Sequence, residues 1–249
     1  MPLPIALALA SLAIAAAPVA ARTAEDRQSW TVALPAGRTL SVAVTIGAIR
    51  VQGESRTDAI IEVTRTAPTT EGLARIPVTI DQGAAAVQIT ALQADGGTDA
   101  AYVTDVTLRV PRTAVLQSLR VMEGRLSVTA FAGTMTAEVM RGPITATDVE
   151  GTLRLETSIG DIVATRVRVK SGGLIRLRTF NGDVRLSLAD RPRDARVMAL
   201  ALNGTIASDI PLTMKDTWGP RWGEATLGSG DPVVSLDVVT GRIEIRVPR

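Results

Sequence analysis

Two aspartates each follow a glycine, Asp161 in "TSIGDIVA" and Asp183 in "TFNGDVRL", 22 residues apart. Carboxylates repeated on one edge could bind Ca²⁺ or supply the paired acids of glycoside hydrolysis. Asp is also a favoured turn residue beside glycine, a reading that needs no ligand. The matching positions elsewhere hold Ala48, Arg125, Pro143, Thr205 and Arg242, so no acidic ladder continues. The paired-glycine nonapeptide of Ca²⁺-binding repeats is absent too. The chain has no histidine and no cysteine. That excludes Ser-His-Asp triads, imidazole shuttles, thiolate nucleophiles, His or Cys metal sites and disulfides. No residue is therefore expected to be catalytic, to ligate a metal or to hold a cofactor.

Two other stretches invite a binding role. The segment "MKDTWGPRWGEATLGSG", residues 214–230, carries two of the three tryptophans in a glycine-rich, irregular setting. Lys215, Trp218, Arg221 and Trp222 are its candidate partner-binding residues, because Trp and Arg anchor interfaces and long loops carry function. The same segment could instead cap an exposed apolar edge, as repeat proteins require. Arg166, Arg168, Lys170, Arg176 and Arg178 form a denser basic run that could face anionic envelope polymers or be the wet side of strands. Overall charge is near balance, 27 basic against 25 acidic residues, with signs interspersed. Aromatics are few, so neither a nucleic-acid partner nor a lectin-like sugar platform is expected.

The elements that must position these residues follow from a repeat. Gly47, Gly124, Gly142, Gly160, Gly182, Gly204 and Gly241 share one setting, the closest of them 18 to 22 residues apart. Five residues before each stand Val42, Leu119, Ala137, Leu155, Leu177, Ala199 and Leu236. Three before stand Val44, Val121, Val139, Thr157, Thr179, Ala201 and Val238, and two after stand Ile49, Leu126, Ile144, Ile162, Val184, Ile206 and Ile243. Two period-2 strands thus meet at each glycine and bury one face. Asn181-Gly182 resembles a hairpin tip, but only two of the seven glycines follow Asn. A tight hairpin would also oppose Arg178 to Arg185. Stacked repeats instead set Arg178 beside Glu156, and Glu156 beside Glu138.

The expected fold is all-β: a β-solenoid (β-helix-like) of short Gly-cornered repeats over 116–249. An N-terminal antiparallel β-meander or sandwich-like part over 22–115 precedes it, and the two form one domain, 22–249. Residues 1–21 lack charged side chains and contain an apolar run from Ile5 to Ala17. That run suits a signal-peptide core and is too short to span a bilayer. Export to the periplasm or cell surface is expected, with no transmembrane segment in the mature chain.

Several features together resemble a known family: "LSVAVTIGAIRVQG", "VTLRVPR", the serial x-G-[DTR]-[IV] corners and the C-terminal "LGSGDPVVSLDVVTGRIEIRV". They are similar to the bacterial putative-adhesin family of β-strand-repeat proteins, a domain of unknown function in exported and envelope proteins. The resemblance covers about Ser29 to Val247, and departs from the Asn/Ser-Gly-Asp corner at Ile46, Glu123 and Arg141. It implies adhesion or an envelope role and transfers no catalytic residue. With the apolar repeat, the export signal and the lack of His and Cys, the expected function is a non-catalytic, adhesin-like structural or interaction protein of the envelope, with an envelope protein or polysaccharide as partner. The alternatives are a carbohydrate-active β-helix enzyme using carboxylates, and a periplasmic accessory or regulatory partner of another envelope protein.

Overall fold

The computed structural model describes residues 23–215 and 219–248. The expected signal peptide lies outside the described residues. The strands are β1 (Ala24–Ala33), β2 (Thr39–Glu54), β3 (Asp58–Ala67), β4 (Thr79–Gln82), β5 (Ala86–Ala91) and β6 (Val103–Pro111). Then follow β7 (Val115–Thr129), β8 (Thr134–Arg141), β9 (Ile144–Thr147), β10 (Thr152–Ile159), β11 (Ile162–Val167) and β12 (Leu174–Asn181). Last come β13 (Val184–Leu188), β14 (Ala195–Ser208), β15 (Thr213–Lys215), β16 (Arg221–Leu227) and β17 (Val233–Arg246). One short 3-10 turn, Glu71–Arg75, interrupts them.

The all-β expectation holds, but the β-solenoid does not. The parallel strands form an eight-strand barrel, with further strands outside it. One parallel ladder runs β5–β2–β7–β8–β10–β12–β17–β14. A second runs β6–β2–β7–β9–β11–β13–β17–β14. Strands β2, β7, β14 and β17 belong to both, each bending at its glycine. The antiparallel pairs β1–β3, β3–β6, β4–β5, β14–β16 and β15–β16 complete the sheet.

The expectation fails at both ends. An N-terminal meander ahead of the repeats would leave β2 outside their stack. Instead β2 lies parallel to β7 with Gly47 opposite Gly124. At the other end a simple coil would add the Gly241 repeat after the Gly204 repeat. Instead β17 enters between β12–β13 and β14. Burial accounts for that order. In the second ladder β17 offers Ile243 and Ile245, both fully buried, where β14 offers Ile206 and Ser208. The bulkier strand has neighbours on both sides, where more apolar surface leaves water.

The three apolar columns face one continuous core. Every member is buried except Ile206, on the outermost strand, which is only partly buried. Asn181-Gly182 is not a hairpin tip: β12 pairs with β10 and β17 and not with β13. Glu156 stands opposite Arg178 on one side and Glu138 on the other, as stacking requires.

Candidate functional site

The glycines form a column of backbone-to-backbone contacts. A Cβ on Gly124 would lie 1.7 Å from the Gly47 carbonyl oxygen, and one on Gly142 only 1.6 Å from that of Gly124. The sequence continues through Gly160, Gly182, Gly241 and Gly204, each closing on the carbonyl of its neighbour. Gly142 also has φ +134°, a region other residues avoid. The bend thus needs glycine for space as well as for backbone conformation. Buried Thr157 and Thr179 donate their hydroxyls to the Gly142 and Gly160 carbonyl oxygens at 3.0 and 2.9 Å. This explains why Thr replaces an aliphatic residue in that column: it satisfies an acceptor inside the core.

The two aspartates do come together. Asp161 Oδ1 accepts the Asp183 backbone N–H at 2.9 Å, and Asp183 Oδ1 accepts that of Arg242 at 2.9 Å. Arg185 lies across both carboxylates, 3.1 Å from Asp161 Oδ2 and 2.7 Å from Asp183 Oδ2. Each carboxylate therefore ties one bend to the next, with its second oxygen held by a guanidinium. Asp105 does the same from β6, accepting the Ala48 N–H at 2.9 Å and facing Arg50 at 3.2 Å. The sequence reading missed Asp105 because Thr104 stands where the other repeats have glycine. The available signal was "VTDVTLRV", which matches "IGDIVATR" in pattern. Among the described residues no group of three His, Cys, Asp or Glu side chains could hold a metal ion.

The segment 214–230 is less irregular than its composition implies. It contributes part of β15 and all of β16, and β16 pairs antiparallel with the first arm of β14. Lys215 and Trp222 are register partners, with the ammonium 5.7 Å from the ring centroid. Lys215 also lies 3.9 Å from Glu224, whose carboxyl is held below its usual range chiefly by a hydrogen bond from Arg196. Arg221 is exposed at the start of β16. Trp218 lies outside the described residues. Lys215, Arg221 and Trp222 thus sit on the β15–β16 pair that covers the first arm of β14.

The basic run is dispersed by pairing. Arg168 meets Asp148 at 2.8 Å, Arg176 meets Asp237 at 3.6 Å, Arg178 meets Glu156 at 3.7 Å, and Lys170 pairs with Glu150. Arg166 has positive φ, 52°, at a second bend. These are partly exposed cross-strand pairs, each worth little by itself.

No family model matches the chain, and no curated protein matches it. Solved structures do. The resemblance to adhesin-type proteins is structural. A putative cell adhesion protein of Clostridium sporogenes aligns over 91% of this chain and 100% of its own, at 11% identity and TM-score 0.50. A putative adhesin of Bacteroides fragilis aligns over 90% of this chain and 97% of its own, at 10% identity and TM-score 0.42. At 11% identity the likeness to the first of these is one of fold alone. Among the described residues no helix is long and apolar enough to cross a membrane.

Proposed function

We propose that the protein is a non-catalytic, exported component of the cell envelope that acts, adhesin-like, by presenting its outer strand faces to a partner. The observation that carries this reading is the use made of the acids. Asp105, Asp161 and Asp183, the repeat carboxylates best placed for chemistry, each fasten neighbouring bends through a backbone N–H and an arginine. A hydrolase would need one carboxyl free to donate a proton and another free to attack or to activate water. The fold likeness to a putative cell adhesion protein over 91% of the chain supports the same reading. The partner is an envelope protein or polysaccharide.

The test is protease treatment of intact cells producing the chain with an internal epitope tag in the 94–98 loop. Cleavage of the tag on intact cells supports the adhesin-like role. Protection until the outer barrier is opened would replace it with a periplasmic accessory role. Crosslinking in the same cells then identifies the partner.

A further inference from the structure

The layers of the barrel share one direction of hydrogen bonding, and the last layer has no neighbour to receive it. Gly142, Gly160 and Gly182 donate their N–H to the Ile159, Asn181 and Thr240 carbonyl oxygens of the following layer at 2.8 to 3.0 Å. Two residues after their own glycines, Leu126, Ile144 and Ile162 donate to Pro143, Asp161 and Asp183 in the same direction, at 2.9 to 3.1 Å. On β14 these positions are Gly204 and Ile206. Asp209 donates back to Ile245 at 2.9 Å, so the alternation turns the backbone groups of Gly204, Ile206 and Ser208 away from β17. Among the described residues no strand pairs with that side of the second arm of β14, residues 203–208. Six residues after their glycines, Ala130 and Asp148 donate to the following layer, whereas the matching Ile210 is capped locally by Ser208 Oγ at 3.1 Å. This edge is also unguarded. Charge and shortness protect a sheet edge from pairing. Of the other edges, β1 carries Glu25, Asp26 and Arg27, β4 is four residues long with Asp81, and β15 is three residues long with Lys215. Residues 203–208, "NGTIAS", contain no charge and no proline.

What stands beside the edge selects its occupant. Past β14 the first arm continues through β16 and β15, while the second arm has no further described strand. Met214 on β15 is the register partner of Gly223, itself the partner of buried Ala199. Met214 thus lies on the core side of the sheet, yet it is 42 % exposed. Ile206, Leu212 and Leu227 pack on the core and are only partly buried. The core is open at this end because one arm stops two strands before the other. That step is about 10 Å high, so a flat surface laid on this end rests on β15 and does not reach the edge. The edge itself offers a donor and an acceptor at every second residue, about 6.6 Å apart along the strand, a spacing that an extended backbone matches. The side chains of such a strand alternate, and half of them fall on the core side, with Ile206, Leu212 and Met214. The occupant that fits is an extended polypeptide segment, apolar at alternate positions and uncharged on that side.

We propose that the second arm of β14 binds an extended segment of another polypeptide by strand addition. Strand addition here needs only the open edge, whether or not the chain is adhesin-like. The probe is a fluorescein-labelled peptide of the sequence "NGDVRLSL", residues 181–188, because β13 lies on the matching side of β11. Ile162 donates to Asp183 there, so the N–H groups of Arg185 and Ser187 face the neighbouring strand and that of Leu186 faces away. The peptide is titrated by anisotropy into the full chain and into residues 22–249, which hold every described strand. Saturable binding of equal affinity is expected for both. N-methylation of the peptide at Arg185 is expected to weaken binding about tenfold or more, and N-methylation at Leu186 less than about threefold. Peptide substitutions Val184→Ser and Leu186→Ser together are expected to weaken it about tenfold or more. In the protein, Ile206→Pro removes an outward N–H and no hydrogen bond to β17, so it should abolish binding while melting like Ile206→Ala. Absence of binding, equal effects of the two N-methyl groups, or an Ile206→Pro variant that binds like the parent would overturn the proposal. So would binding only without residues 1–21, which makes the chain's own N-terminal segment the occupant, or a parent dimer that Ile206→Pro dissolves, which makes it a second copy.

Discussion

The central repeats and the outermost strand are built from the same pattern, yet they end in different states. In β10 and β11, the residues of the three apolar columns are at most 1 % exposed, and each strand has a parallel neighbour on both sides. In β14 the first arm is covered by β16, but Asn203 to Ser208 pairs only with β17 among the described residues. Ile206 is correspondingly only partly buried, where Ile162 is fully buried. Gly204 faces the same crowding as the others, 1.7 Å from the Gly241 carbonyl oxygen, but it lacks the positive φ of the inner glycines. A repeat sequence alone therefore does not make a buried repeat. Burial comes from having neighbours on both sides, and the last strand has them along only half its length.

The comparison can be broken most forcefully at the glycines. Gly142→Ala is expected to cost more than about 4 kcal/mol, or to prevent folding, because its Cβ meets backbone and its φ is unfavourable. Gly204→Ala is expected to cost clearly less, since an edge strand can shift outward. Thermal melts of the two variants check this. Next, Leu155→Ala removes a core side chain held on all sides and is expected to cost about 2–5 kcal/mol. Ile206→Ala is expected to cost less than half as much; equal losses in denaturant melts would erase the distinction between centre and edge. Thr179→Val leaves the Gly160 carbonyl without its hydroxyl donor and is expected to cost about 1 kcal/mol, read from the shift in denaturant midpoint.

The smallest effect concerns pH. Asp26 is held below its ordinary value of 3.8 mainly by a hydrogen bond from Arg65, and Asp58 by one from Arg56. Asp231 is held low by Ser171 and by the Gly172 N–H. Depressed carboxylates stabilise the fold above their unfolded value and lose that contribution as pH falls through the folded one. The melting temperature should therefore be flat from neutrality to about pH 4 and decline below it. Asp58→Asn should make that decline shallower, and a scan from pH 6 to 2 measures both.

Much of this was legible in the sequence, because side-chain period and glycine spacing are local. The three apolar columns, the bends and the Glu156–Arg178 neighbourhood follow from them. Strand order was not legible, since the choice between β17 and β14 for the inner place depends on total burial, which no local pattern encodes. A second glycine column was overlooked. Gly133, Gly151 and Gly173 each stand nine residues before a bend glycine, and a Cβ on Gly151 would lie 2.3 Å from the Gly133 carbonyl oxygen. Its spacing was visible, but the strands begin there without an apolar signature. Ala130, Asp148 and Arg166, all with positive φ, mark a further bend six residues after Gly124, Gly142 and Gly160. Their differing residue types hid it. In the candidate site, Asp161 and Asp183 were found from their motif. Arg185 lies two residues from Asp183, but its contact with Asp161 and that of the Arg242 N–H with Asp183 join residues 24 and 59 apart.

The strand order turns on β17 lying between β12 and β14, and cysteine pairs test that placement directly. The chain has no cysteine, so introduced pairs have no competitors. Ser235 is the register partner of Arg176 on one side and of Met198 on the other. Adjacent parallel strands fall within disulfide reach and strands two apart do not. Oxidation of the folded protein should crosslink Arg176→Cys with Ser235→Cys, and Met198→Cys with Ser235→Cys. Crosslinking of Arg176→Cys with Met198→Cys, and failure of the other two pairs, would contradict it.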